Sequence, residues 1–139
     1  KFYSNKIQNI KRESKEQKPL VLLVEDDVLN IEFMKRFLIE ICELHIAVNG
    51  KDALQLAKTY NYNAMLMDIG LGKGMNGIEV TKLIREIPRY KDIPIIAVTA
   101  YAMGGEKEKF LQSGFSGYIS KPFKMSELVE VLGNALNLL

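Results

Sequence analysis

Apolar positions along this chain alternate between two periods. Leu20–Val24 and Ala64–Met67 are short unbroken apolar runs, the pattern of strands buried on both faces, and Ile93–Thr99 contains another such strand. Leu44–Val48 and Gly117–Ile119 read as two further, less apolar strands. The segments between them have helical spacing. Residues 28–41 place Ile31, Met34, Leu38 and Ile41 on one face, and residues 51–60 turn Ala53, Leu54 and Ala57 inward. Residues 77–87 do the same with Val80, Leu83, Ile84 and Ile87, and Pro88 marks the end. Residues 105–113 form a short polar helix stopped by Gly114, and 125–137 a last helix with Leu128, Val131, Leu132 and Ala135 inward. Pro94 belongs at or before the first residue of the fourth strand. Five strands alternating with five helices predict an α/β fold, a doubly wound parallel sheet of order 2-1-3-4-5 covered on both faces. Crossovers are right-handed.

In such sheets ligands bind beyond the carboxyl ends of the strands, beside the switch between strands 1 and 3. Strand 1 ends in Glu25 and Asp26, strand 3 in Asp68, strand 4 in Thr99, and strand 5 is followed by Lys121. Taken alone, Asp68 is well explained as the cap of the glycine-rich turn Ile69–Gly74. The other strand ends change that reading, because residues far apart in sequence converge on one crevice. Three carboxylates there repel each other, roughly 4 kcal/mol per pair at about 4 Å and an effective dielectric near 20. A divalent cation relieves the repulsion, and all-oxygen ligands with open positions favour Mg²⁺, with Mn²⁺ the alternative. A carboxylate held against such an ion can attack phosphorus and form an aspartyl phosphate. The cation would hold one phosphoryl oxygen, Lys121 a second, and Thr99 with backbone N–H groups a third.

Composition narrows the class. Of 139 residues, 47% are apolar and 26% charged, so the chain is globular, and no apolar run reaches the length of a membrane span. The net charge of +2 is carried by the tail. Residues 1–18 hold six of the 19 basic residues and two of the 17 acidic ones, leaving a body with 13 basic and 15 acidic residues. That is not the footprint of a nucleic-acid binder. Cys42 is the only cysteine and His45 the only histidine, which excludes an internal disulfide and a zinc site and agrees with a reducing, cytoplasmic setting. His45 reads as a packed or edge side chain. Tyr3, Ile7 and Ile10 have weak helical spacing, and residues 1–19 read as a charged linker or tail before a domain over 20–139. The start at Lys1 rather than Met suggests a piece of something longer or a trimmed chain.

Val24-Glu25-Asp26-Asp27, Met67-Asp68-Ile69, Val98-Thr99-Ala100 and Tyr118-Ile119-Ser120-Lys121-Pro122-Phe123 together resemble the receiver domain of two-component response regulators, over residues 20–138. The resemblance implies the flavodoxin-like receiver fold. It also implies phosphoryl transfer to Asp68 from a histidine kinase or phosphotransfer protein, followed by self-catalysed hydrolysis, rather than an independent enzyme. In that pattern Asp26 is the direct metal ligand, Glu25 a water-mediated one, and Gly70 the backbone carbonyl ligand. Thr99, Ala100 and Lys121 contact the phosphoryl group, with Thr99 and Tyr118 as the switch. Asp27 falls at the first helix start. The downstream partner would read residues 101–130, the fourth helix, fifth strand and fifth helix, with no direct contact to nucleic acid or membrane. Phe123 reads as packing after the Lys-Pro turn.

The chain departs from the family pattern in two places. Gly72-Lys73-Gly74 replaces the usual Met-Pro step, and Gly77 lies nine residues after Asp68, making the loop one residue longer. Such a loop should be mobile until metal or phosphate orders it. Gly70, two past Asp68, has no side chain to steer water, and Tyr101 stands as the alternative shield. An aspartate-based phosphatase would need a second Asp at position 70. A flavin domain would need a Ser/Thr-rich loop after strand 1, and a receiver-like interaction module would normally have lost an acid or the Lys. Asn30 and Ala100-Tyr101-Ala102-Met103 resemble receivers of hybrid sensor histidine kinases, the tail then being the linker from the kinase core; a stand-alone regulator is the alternative.

Overall fold

The computed structural model of the chain describes residues 18–72, 74–100 and 106–138. Its strands are β1 (Leu20–Val24), β2 (Glu43–Ala47), β3 (Ala64–Asp68), β4 (Ile95–Thr99) and β5 (Gly117–Ser120). Its helices are α1 (Val28–Leu38), α2 (Gly50–Thr59), α3 (Gly77–Arg85), α4 (Glu106–Gln112) and α5 (Met125–Ala135). The five strands are parallel in the order β2-β1-β3-β4-β5, as the alternating pattern predicts.

Alternate residues of the central strands feed two apolar layers. Leu23, Leu66 and Val98 face Met34 and Leu38 of α1 and Leu128, Val129 and Leu132 of α5. Val24, Met67 and Ala97 face Ala53 and Ala57 of α2, Val80 and Ile84 of α3, and Phe110 of α4. This double covering is why the central strands read as unbroken apolar runs instead of alternating ones. Each fully buried aliphatic side chain contributes about 1.5–3 kcal/mol.

Helix starts follow local chemistry. The Asp27 carboxylate accepts from the N–H of Leu29 at 2.8 Å and caps α1. Asn49 accepts from Asp52 N–H at 2.8 Å and caps α2. Asn76 and Glu79 form a reciprocal capping box on α3, so the longer loop still delivers a defined start at Gly77.

Several sequence expectations are corrected. α1 stops at Leu38, and Ile41 is buried from the turn that follows. β2 runs from Glu43, leaving Val48 exposed. Leu83 lies on the outer side of α3: the buried stripe runs through Gly77, Val80, Thr81 and Ile84, and Leu83 sits about a third of a turn away. α3 ends at Arg85, and Pro88 opens a short 3₁₀ turn, Pro88–Tyr90. Leu54, Val131 and Ala135 are half-buried. Tyr101, Lys73 and the tail residues Tyr3, Ile7 and Ile10 lie outside the described residues.

Candidate functional site

Strand register brings the predicted side chains together. Val24 pairs with Met67, Asp68 with Val98, and Thr99 with Ser120. Glu25 therefore follows β1 level with Asp68, the last residue of β3. Thr99 and Lys121 each lie one step further across the sheet. The backbone supports this rim, with Glu25 N–H donating to Ala47 carbonyl at 3.0 Å and Lys121 N–H to Thr99 carbonyl at 2.7 Å. α3 begins immediately under Asp68: a Cβ at Gly77 would run into the Asp68 carbonyl, so only glycine allows this approach.

Glu25, Asp68 and Thr99 are almost completely buried, at 1%, 5% and 1% exposure, whereas Asp26 and Asp27 are exposed. One carboxylate oxygen from each of Glu25, Asp26 and Asp68 falls within 4.8 Å of the others. Lys121 Nζ lies 3.2 Å from Glu25 Oε1 and 3.4 Å from Asp68 Oδ1. The Asp27 N–H donates to Glu25 Oε2 at 3.2 Å, and the Gly70 N–H to Asp68 Oδ1 at 3.1 Å. Gly72 N–H reaches across to Asp26 Oδ2 at 2.8 Å. A cleft of about 220 Å³ opens over this group, lined also by Asn30, Gly70 and Ala100. Tyr118 is half-buried, its ring 6.1 Å from that of Phe110.

The charge balance is local. Burial works against the Lys121 ammonium, but Asp68 and Glu25 beside it prevail and raise its pKa. Burial pushes the Glu25 carboxyl from its usual 4.5 up to about 6, and the charge of Asp68 adds to the rise. A carboxyl whose pKa is higher folded than unfolded binds its proton more tightly in the folded state. Its contribution is therefore favourable below pH 4.5 and is lost as the pH rises to about 6. Metal-free protein is expected to lose about 2 kcal/mol of stability across that window. Urea midpoints in EDTA would show it, and Glu25→Gln should flatten the slope.

The donor set is three carboxylates, all oxygen, with Gly70 in the same cleft wall, and is suited to a hard divalent cation such as Mg²⁺. The Lys121 ammonium adjoins it, and the buried Thr99 ends the neighbouring strand one residue past the partner of Asp68. Such a group can hold a cation and offer a carboxylate nucleophile beside it.

The model of the response regulator receiver domain matches residues 21–133. The chain belongs to the response regulator receiver domain family. This receiver is 40% identical over 118 residues to the polar-differentiation response regulator DivK of Brucella anthropi, covering 84% of this chain and 94% of that one. The receiver domain of the sensor histidine kinase PA1611 from Pseudomonas aeruginosa, solved with a magnesium ion coordinated in its active-site cleft, is 36% identical. It has a TM-score of 0.75, covering 86% of this chain and 98% of that one. Chemotaxis response regulator CheY4 of Vibrio cholerae superposes with a TM-score of 0.81 at 25% identity, covering 86% of this chain and all of that one.

Sequence reasoning missed a surface beside the receiver's cleft. Val28, Leu29 and Phe33 lie on the outer side of α1 and are 69%, 80% and 46% exposed. The Phe33 ring lies tilted against that of Phe123, centroids 6.3 Å apart, and together with Asn30, Pro122 and Lys121 they line a groove of about 450 Å³. The signal was present: these apolar residues fall off the Ile31–Met34–Leu38 stripe. His45 is half-buried, its Nδ1 2.7 Å from the Tyr62 hydroxyl, and it packs edge-on against Tyr60 and Tyr62.

Proposed function

We propose that this receiver accepts a phosphoryl group from a phosphohistidine onto Asp68 in a two-component phosphorelay. The observation that carries the reading is the joining of Glu25, Asp26 and Asp68 within 4.8 Å, with Lys121 bridging Glu25 and Asp68. Asp26, Asp68 and the Gly70 carbonyl would hold Mg²⁺ directly and Glu25 through water. Bound there, the ion supplies charge stabilisation to the transferring phosphoryl group. An Asp68 carboxylate oxygen forms the new P–O bond as the P–N bond to the donor imidazole breaks. Lys121, Thr99 and the Ala100 N–H take the phosphoryl oxygens, and water later cleaves the acyl phosphate.

The apolar collar of Val28, Leu29, Phe33 and Phe123 beside the cleft suits a histidine kinase or phosphotransfer protein that must bring its histidine over Asp68. The output surface is α4, β5 and α5, reached through Thr99 and Tyr118. Setting 99% of molecules active from 1% takes about 5.5 kcal/mol of differential stabilisation. Residues 20–139 form the receiver and 1–19 a linker or tail in the cytoplasm; among the described residues no helix is long and apolar enough to cross a membrane. A hybrid sensor kinase parent is supported by the likeness to the PA1611 receiver, and a single-domain regulator by the likeness to DivK.

The test uses acetyl phosphate and Mg²⁺ with detection by intact mass. Wild-type protein should gain one base-labile phosphoryl group, dependent on Mg²⁺, and Asp68→Asn should gain none. No adduct, and no NMR shift at Thr99 or Tyr118 with beryllofluoride, would sink the phosphoacceptor reading.

A further inference from the structure

Of the three clustered acids, Asp26 is the one that neither strand nor burial fixes. It follows β1, its residue is exposed, and an exposed carboxylate samples several rotamers. Among the described residues one bond holds it: the Gly72 N–H, 46 residues away in sequence, at 2.8 Å from Oδ2. The backbone approaches closely, since a Cβ on Gly72 would stand 2.9 Å from that oxygen. The neighbouring Leu71 is 6% exposed and packs into the apolar layer with Met67 and Val80, so the amide is anchored from beneath. Two residues earlier the Gly70 N–H serves Asp68. Alternate amides of one loop thus orient two of the three acids. A carboxylate has about four acceptor positions, and one N–H leaves the others for a cation.

We infer that the Gly72 amide is a positioning group that presets Asp26 for Mg²⁺. This rests on the phosphoacceptor reading above. Outer hydrogen bonds to a ligating carboxylate typically carry 10–100-fold in metal affinity. Gly72→Pro deletes the N–H, whereas Gly72→Ala keeps it and places a Cβ against the mobile end of Asp26.

Mg²⁺ titrations followed by amide NMR on wild type and both variants, with melting in EDTA alongside, test it. Gly72→Pro should bind Mg²⁺ 10–100-fold more weakly, with Gly72→Ala staying closer to wild type, while metal-free melting temperatures change little. Equal affinity in wild type and Gly72→Pro, or equal losses in both variants, overturns the inference and leaves the phosphoacceptor reading standing. No Mg²⁺ binding by wild type overturns both. Independently of whether Gly72→Pro folds, the Gly72 amide in metal-free wild type should exchange with solvent at least tenfold more slowly than in Asp26→Ala. Equal exchange overturns the inference.

Discussion

Replacing Lys121 with alanine should slow phosphoryl transfer to Asp68 by 10²–10³-fold, the usual cost of removing one preset donor from a developing anion. The same change should have a separate, metal-dependent effect on stability. Lys121 Nζ is the cation between two almost fully buried carboxylates, 3.2 Å from Glu25 and 3.4 Å from Asp68, and its own side chain is 23% exposed. Removing it leaves two buried acids facing each other, which costs on the order of 3 kcal/mol. Saturating Mg²⁺ replaces the missing positive charge, so most of that loss should return in Mg²⁺ and be plain in EDTA. The rate should not return, because in the proposed transfer the ion would serve a phosphoryl oxygen other than the one Lys121 takes. Urea denaturation with and without Mg²⁺, beside acetyl-phosphate labelling rates, measures both. A stability loss that Mg²⁺ leaves untouched would show that Lys121 acts mainly by packing.

The candidate site was legible in sequence through the strand ends that carry it. Glu25, Asp68, Thr99 and Lys121 sit at strand ends, and a parallel sheet of known order carries strand ends to one edge. Asp26 and Asp27 are adjacent acids with different partners: one meets the Gly72 amide and the other caps α1. The order of the pair along the chain implied that division, and only the hydrogen bonds display it. Gly72 itself was read as looseness, because a glycine's permissive backbone is visible in sequence and the target of its N–H is not. Leu83 went wrong for a related reason: a nine-residue helix gives too few turns to fix its stripe, and the buried Thr81 pulled the face around. Phe33 and Leu29 were passed over because the inward stripe was already complete without them.

Arg85 is the largest effect that the residue pattern conceals. Its place in the last turn of α3 reads as a favourable dipole charge on a wet face. Instead the guanidinium folds over the amino-terminal end of β4. Nε donates to the Gly114 carbonyl at 2.8 Å, and one terminal nitrogen to the carbonyls of Tyr90 and Ile93 at 2.6 and 2.7 Å. The other donates to Ser116 Oγ at 3.2 Å, which in turn accepts the Ile95 N–H at 3.1 Å. Burial lowers its pKa, with Asp92 pulling the other way, and the side chain pins the turn after α3 to the turn after α4. Arg85→Ala strands three carbonyls and takes one of two donors from the Ser116 hydroxyl, so a loss of about 3–5 kcal/mol is expected. Arg85→Lys should recover only part of it, since one ammonium cannot serve acceptors spread around a planar fork. The loss should be the same in EDTA and in Mg²⁺, unlike that of Lys121→Ala, because β4 separates Arg85 from the acids by the length of five residues, roughly 15 Å. At temperatures where Arg85→Ala remains folded, its phosphorylation rate per folded molecule should match wild type. A rate falling tenfold or more in folded protein would mean that the β4 register, and with it Thr99, depends on this clamp.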